Sequence, residues 1–424
     1  MLRGAGATIA VRIVAALLAY ISLIAFARWM GASEYGAYAY AITWVGLLAL
    51  PAALGLPMVS LRFVAEYSAA GVWSKVRGLL VRSILLTMLT GVAIAIVVAT
   101  AILVARDFVP VAYRIPLLLA LLGIPVVALT QLGIQVGRAF GWVVAAFMPS
   151  QVLHPVLLLT VGGAFVVAGQ TLGASGLVIA TMGVAAVCLL GQWVVFAWRL
   201  RPRLRNVAPQ HEQKMWLRVA APLLLIDVFM VVLTYADILM VGIFFDPSSV
   251  AFYVAASRTA GIVTFFTAAI GALVGPRIAE LNSQGRLAEV QELIRGITPW
   301  IAIPATLVAV FLIATGPFVL PLFGEGFDVA WLPLIILSIG NLILCINGPA
   351  LLLLTMTGHQ DMTAKVYAVA AVANVLLNAV LIPLLGLNGA AIATAVSVTV
   401  MSSYLVILAR RTLSVRTGLS ALRA

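Results

Sequence analysis

Uninterrupted apolar runs of roughly 20–25 residues recur down the whole chain, each long enough to cross a bilayer as a helix. Short polar breaks separate them. The runs are continuous rather than alternating, which argues against the strands of a membrane barrel. Hydrophobic residues make up 64% of the 424 and charged residues only 9%. No soluble domain of this length has that composition. The sequence predicts an all-α polytopic membrane protein with helices at 7–28, 36–61, 79–105, 115–137, 148–168 and 174–198. A second set follows at 218–245, 250–276, 296–316, 330–357, 364–385 and 387–409. Twelve spans put both termini on one side.

Lys and Arg identify that side, because cytoplasmic loops carry the excess of positive charge. On the terminal side fall 21 of them, Arg423 among them. Arg28, Arg106 and Arg114 fall on the other, and Arg258 lies within a span. The termini are therefore expected in the cytoplasm. The net charge of +12 is explained by this topology, so no nucleic-acid partner is implied. Arg3, Arg12 and Ala25-Phe26-Ala27 imitate a signal peptide. The many spans that follow, and a counterpart later in the chain, make this run the first spanning helix instead.

That counterpart belongs to an internal repeat. Gly31 through Tyr38 follows the first helix as Gly242 through Tyr253 follows the seventh. Arg62-Phe63-Val64-Ala65-Glu66 ends the second helix as Arg277-Ile278-Ala279-Glu280 ends the eighth. Each half holds six helices, an even number, so both enter the membrane from the same side. Two lobes related by a pseudo-two-fold axis along the membrane normal are expected: 1–198, then 218–410. Between them runs a basic cytoplasmic linker, 199–217, and a cytoplasmic tail, 411–424, ends the chain. The linker reads as a topology anchor or as a surface for anionic lipid. Residues 281–295 have the apolar spacing of a short amphipathic helix on the cytoplasmic surface. Prolines inside spans, such as Pro51, Pro155, Pro222, Pro304 and Pro349, mark kinks. Gly133, Gly137 and Gly141, every fourth residue, favour close helix packing.

Enzymatic chemistry finds no purchase. No Gly-Lys dipeptide occurs, so the phosphate-binding loop G-x4-G-K is absent. His154, His211 and His359 are scattered, and none sits in an H-E-x-x-H helix. Cys188 and Cys345 lie inside apolar runs and read as buried free thiols. No metal site, resident cofactor or soluble catalytic domain is expected.

The charges inside spans are the informative residues, since each costs about 2.5–3.5 kcal/mol at the bilayer centre. They are Asp227, Asp237 and Arg258. Asp237 lies about 10 Å and Arg258 about 12 Å below the same surface at 1.5 Å per helical residue. The two are expected to pair.

Three stretches carry a family resemblance. Arg28-Trp29-Met30-Gly31-x-x-Glu34-Tyr35-Gly36 follows the first helix. Asp237 and Gly242, with Val250-x-x-Tyr253-x-x-Ala256, surround the seventh-to-eighth turn. Leu377-Asn378-x4-Pro383-x2-Gly386-x2-Gly389-Ala390-Ala391-Ile392-Ala393-Thr394 covers the eleventh-to-twelfth. The chain resembles the O-antigen translocase type of polysaccharide flippase within the multidrug/oligosaccharidyl-lipid/polysaccharide exporter superfamily. Ala251 departs from the glycine often found there. The resemblance implies flipping of a polyprenyl-diphosphate-linked oligosaccharide across the bacterial inner membrane by alternating access. It implies membrane lipids, and a polysaccharide polymerase or glycosyltransferases, as partners. Proton or sodium coupling stays open. Two other readings also stay open: an ion-coupled drug or metabolite antiporter, and a non-transporting partner of a polysaccharide synthase. On the flippase reading, Arg258, Asp237 and Arg28 contact the anionic head group. Arg suits a diphosphate because its planar fork donates two hydrogen bonds. Asp227 serves as the ion-coupling or switch residue.

Overall fold

The computed structural model describes residues 2–418 and 421, with backbone alone for 2–13, Pro222, Ile226 and Ala272. Arg423 lies outside the described residues. Among those residues the chain is helical and without strands. The first half holds α1 (Leu2–Met30), α2 (Ala32–Ala53), α3 (Leu56–Ala69), α4 (Trp73–Val104), α5 (Val111–Ala120), α6 (Gly123–Ala139), α7 (Val143–Met148), α8 (His154–Val167) and α9 (Ala174–Leu204). The second holds α10 (Gln213–Phe244), α11 (Pro247–Gly261), α12 (Phe265–Ser283), α13 (Leu287–Val319), α14 (Trp331–Met356), α15 (Gln360–Leu385) and α16 (Leu387–Leu413). Ten of the spans are long and apolar enough to cross a membrane, or eleven when the bent pair α5–α6 is one span. The shorter apolar stretch Val14–Met30 lies in α1. This is a multi-pass helical membrane protein.

Sixteen helices fill the twelve predicted segments because four segments are broken. Leu54 and Gly55 adopt left-handed backbone between α2 and α3. A Cβ on Gly55 would sit 2.5 Å from the carbonyl oxygen of Ala220, so only glycine fits there. The α5–α6 pair bends by 47°. One turn of π-helix, Pro149–Leu153, joins α7 to α8, and a 3-10 turn, Ile262–Thr264, joins α11 to α12. Prolines account for the π-turn: without an N–H they cannot continue the ladder.

The chain separates into two compact units, Met1–Val228 and Phe229–Ala424. The core of the first gathers Leu56, Val59, Phe63 and Tyr67 of α3 with Leu132 and Val136 of α6, Phe196 of α9 and Trp216 of α10. The basic linker is part of this unit. Helix α9 runs on to Leu204, so Arg201 and Arg203 occupy its last turn, where cations complement the helix dipole. Arg199 lies over the Trp142 ring at 5.1 Å and Arg203 over Trp73 at 4.9 Å. The Arg77 guanidinium donates to the carbonyls of Val207 (2.5 Å) and Leu204 (3.2 Å). Gln210 N–H donates to the Ser74 carbonyl. Glu212 pairs with Lys75 at 2.8 Å and accepts from the Tyr67 hydroxyl at 2.9 Å. The linker is thus a strap fixed across the ends of α3 and α4.

The second unit has its largest core among α12, α13, α14, α15 and α16. The predicted surface helix over 281–295 is absent as a separate element. After a turn, α13 starts at Leu287 and continues straight into its span. The apolar spacing is real, but it buries Val290, Ile294 and Ile297 against the unit's own core. The predicted tail also packs there: Val415 and Ala421 are buried, and Gln291 exchanges two hydrogen bonds with the Arg416 backbone. Cys188 and Cys345 are buried free thiols, as expected.

Candidate functional site

Asp237 sits in α10, seven residues before Phe244, or about 10 Å from that helix end. It is 2% exposed. Helix α11 turns back with Pro247 in its first turn, where a missing N–H costs nothing. Six residues on, Tyr253 faces the carboxylate. The Tyr253 hydroxyl donates to Oδ2 of Asp237 at 2.7 Å, and the Thr394 hydroxyl donates to the same oxygen at 3.1 Å. Oδ1 accepts from the Ile238 N–H at 2.8 Å.

Thr394 comes from α16, where the chain has made its tightest turn. Gly386 joins α15 to α16 with a φ of 61°. A Cβ on Gly389 would overlap the Leu381 carbonyl. These two glycines let the helices fold back closely, which brings Asn374 and Asn378 of α15 beside Thr394 and Ser397 of α16. Asn374 Nδ2 donates to the hydroxyl oxygens of Thr394 and Ser397, each at 3.4 Å. Asn378 Nδ2 donates to the Asn374 carbonyl at 2.9 Å and to its Oδ1 at 3.0 Å. A backbone carbonyl only accepts, so the Asn378 amide is oriented with Nδ2 towards it. Its Oδ1 is buried without a partner. Hydroxyl, amide and carboxylate groups thus form one chain, from Tyr253 through Asp237, Thr394 and Asn374 to Asn378.

The expected Asp237–Arg258 ion pair does not form. Arg258, in the last turn of α11, is exposed and lies over the Tyr235 ring at 5.5 Å. The acid turns to hydroxyl donors and the cation to an aromatic face. Arg28 ends α1 in the other unit and is also exposed. Asp227 is half-buried in α10, with no hydrogen bond or ion pair among the described residues. The sequence reading assigned no site role to Tyr253, Asn374, Asn378 and Thr394, although three of them stand in the quoted motifs. Their depth was the available signal. Asp237, Tyr253, Asn378 and Thr394 lie six or seven residues from Phe244, Pro247, Leu385 and Leu387, the ends of their helices. No cluster of three or more His, Cys, Asp or Glu suited to a metal occurs among the described residues.

Residues 1–282 match the family described as "Polysaccharide biosynthesis protein". Two curated relatives come from Haloferax volcanii. "Probable low-salt glycan biosynthesis flippase Agl15" is 30% identical over 172 residues, 39% of this chain and 36% of the relative. "Probable flippase AglR" is 30% identical over 175 residues, 40% of this chain and 36% of the relative. The match spans about a third of these relatives' own length. Among solved structures, the inward-facing conformation of a multidrug resistance MATE family transporter of the MOP superfamily aligns with a TM-score of 0.78 at 19% identity, covering 94% of both chains. The inward closed conformation of the lipid II flippase MurJ aligns with a TM-score of 0.75 at 14% identity, covering 95% of this chain and 87% of the other. The chain shares the two-lobe fold of these transporters.

Proposed function

The chain belongs to the polysaccharide biosynthesis protein family, and we propose that it flips a polyprenyl-diphosphate-linked oligosaccharide to the outer leaflet of the cytoplasmic membrane by alternating access. The observation that carries this reading is the family match over residues 1–282, joined by similarity to two proteins named as flippases. Both termini lie in the cytoplasm on this reading, as the distribution of Lys and Arg supports.

The geometry adds a division of labour. Asp237 is buried on three hydrogen-bond donors with no cation within ion-pair distance, and a buried charge without a counter-ion in contact is costly. A proton or a small hard cation is its natural companion. The oxygens around it are of the carboxylate, hydroxyl and amide kind that hard cations take. Asp237 is therefore the coupling residue, and its loading with a proton or sodium ion drives the change of state. Asp227, half-buried and unpaired, is the switch residue. Arg258, exposed in the last turn of α11 with its guanidinium over the Tyr235 ring, receives the diphosphate. Removing the gene while leaving synthesis intact tests the reading. Lipid-linked saccharide should accumulate on the cytoplasmic face of the membrane. Unchanged delivery to the outer leaflet would favour a non-transporting partner of the synthase.

A further inference from the structure

The N-terminal unit contains a cavity of about 330 Å³ walled by α6, α9 and the π-turn before α8. At about 30 Å³ per water, it has room for roughly ten, far beyond a structural water site. It stands at the lower end of ligand pockets, about 300–1,000 Å³. Polar groups interrupt its largely apolar lining: Thr130 and Gln131 from α6, Ser150 and His154 around the π-turn, Gln192 from α9. No Asp, Glu, Lys, Arg, Phe, Tyr or Trp side chain lines it among the described residues.

The π-turn makes this lining. Pro149 has no N–H for the Ala145 carbonyl, and Gln192, 3% exposed, supplies the missing donor. Its Nε2 lies 3.1 Å from the Ala145 oxygen and 2.9 Å from that of Ala146. Ser150 Oγ is buried there with no partner. His154 Nε2 lies 3.4 Å from the Thr181 carbonyl. That oxygen only accepts, so Nε2 carries the hydrogen and Nδ1 is left as an acceptor. An unpaired buried hydroxyl costs free energy unless something in the cavity bonds to it.

We propose that this cavity is a subsite for a neutral sugar ring of the saccharide head group. Sugar hydroxyls both donate and accept, which matches the Ser150 hydroxyl, the His154 acceptor and the Gln131 amide. Ile134 of α6 and Leu189 of α9 also line the cavity and suit the C–H face of a ring. A cationic drug would find no carboxylate among the lining residues. The inference rests on the flippase reading, and the test reports on the two separately.

Cys188 lines the cavity, and Cys345 → Ser leaves it as the sole thiol. This variant, in liposomes, is treated with methyl methanethiosulfonate. The probe is the lipid-linked saccharide extract of the cells that make the protein. A second portion is first treated with mild acid, which cuts the sugar–phosphate bond, and the freed saccharide is extracted into water and discarded. The intact extract should slow modification of Cys188 and the acid-treated extract should not. Equal protection by both would mean that the carrier lipid fills the cavity. No protection by either, or a Cys188 that never reacts, would equally overturn the subsite. Flipping of the same extract by the same liposomes tests the flippase reading independently. Adding Ser150 → Ala should raise the extract concentration for half-protection about two- to tenfold, the span of one hydrogen bond. Thermal stability should not fall, because that hydroxyl has no protein partner. An unchanged half-protection concentration would contradict the assignment.

Discussion

Asp237 and Arg258 show how much a residue's role depends on its immediate partners. Their depths were legible from residue counts, and a charge pair was the natural inference. The side chains instead find a tyrosine hydroxyl and a tyrosine ring. Sequence depth fixes which groups are level; it does not fix which way each points around its helix. Tyr253 → Phe removes one donor to Asp237. A hydrogen bond to a charged group is worth about 1.5–3 kcal/mol. Ion-driven transport should therefore fall roughly tenfold or more, in a protein that still inserts and purifies. Transport at the wild-type rate would remove Tyr253 from the coupling site. Asp227 → Asn should slow transport without abolishing binding of lipid-linked saccharide. Undiminished transport across the pH range would end its proposed role as a switch.

At the scale of elements, the apolar runs and their ends were legible because hydrophobic length is set by the bilayer. The breaks inside four runs were legible only in part, through prolines such as Pro51 and Pro155 that mark kinks. The form of the Leu54–Gly55 break depends on what packs against the backbone, and that partner, Ala220, is far away in sequence. Gly55 → Ala tests this. A left-handed alanine costs about 1–2 kcal/mol before any clash, and the Ala220 carbonyl leaves its Cβ no room. The variant should unfold at lower temperature; an unchanged midpoint would mean that the break is permissive. The strap makes a second element-scale prediction. The hydrogen bond from Lys75 holds the Glu212 carboxyl below its ordinary range; burial opposes this, and the Tyr67 hydroxyl assists. With a depressed folded value, the stabilisation is present above the ordinary glutamate range. It disappears as pH falls through the depressed value. Glu212 → Gln should thus lower thermal stability at neutral pH, with the gap to wild type closing on acidification. A gap that persists at low pH would point to some other cause.

For the whole molecule, composition and repeats were sufficient to read a helical membrane protein in two parts, because few sequences satisfy a bilayer from end to end. The family match and the fold of the solved relatives agree with that reading. The eleventh-to-twelfth motif contains Asn378 and Thr394, but in the sequence it reads only as a family resemblance and not as part of a site. What stayed hidden was convergence: Asn374 meets Thr394 and Ser397 only because Gly386 and Gly389 allow α15 and α16 to close. The topology has its own check. Single cysteines at the two chain ends should react with a membrane-impermeant reagent only after the cells are opened. Labelling in intact cells would reverse the assigned orientation.

The central claim is that ion loading at Asp237 drives the flipping of lipid-linked saccharide. Purified protein in liposomes carrying that lipid, with an imposed proton or sodium gradient, tests it most directly. Accessibility of the saccharide to an external glycosidase reports translocation. Wild-type protein should respond to one of the two gradients. Asp237 → Asn should flip at the same slow rate with or without it. A gradient response that survives in Asp237 → Asn, or wild-type flipping indifferent to both ions, would contradict the account.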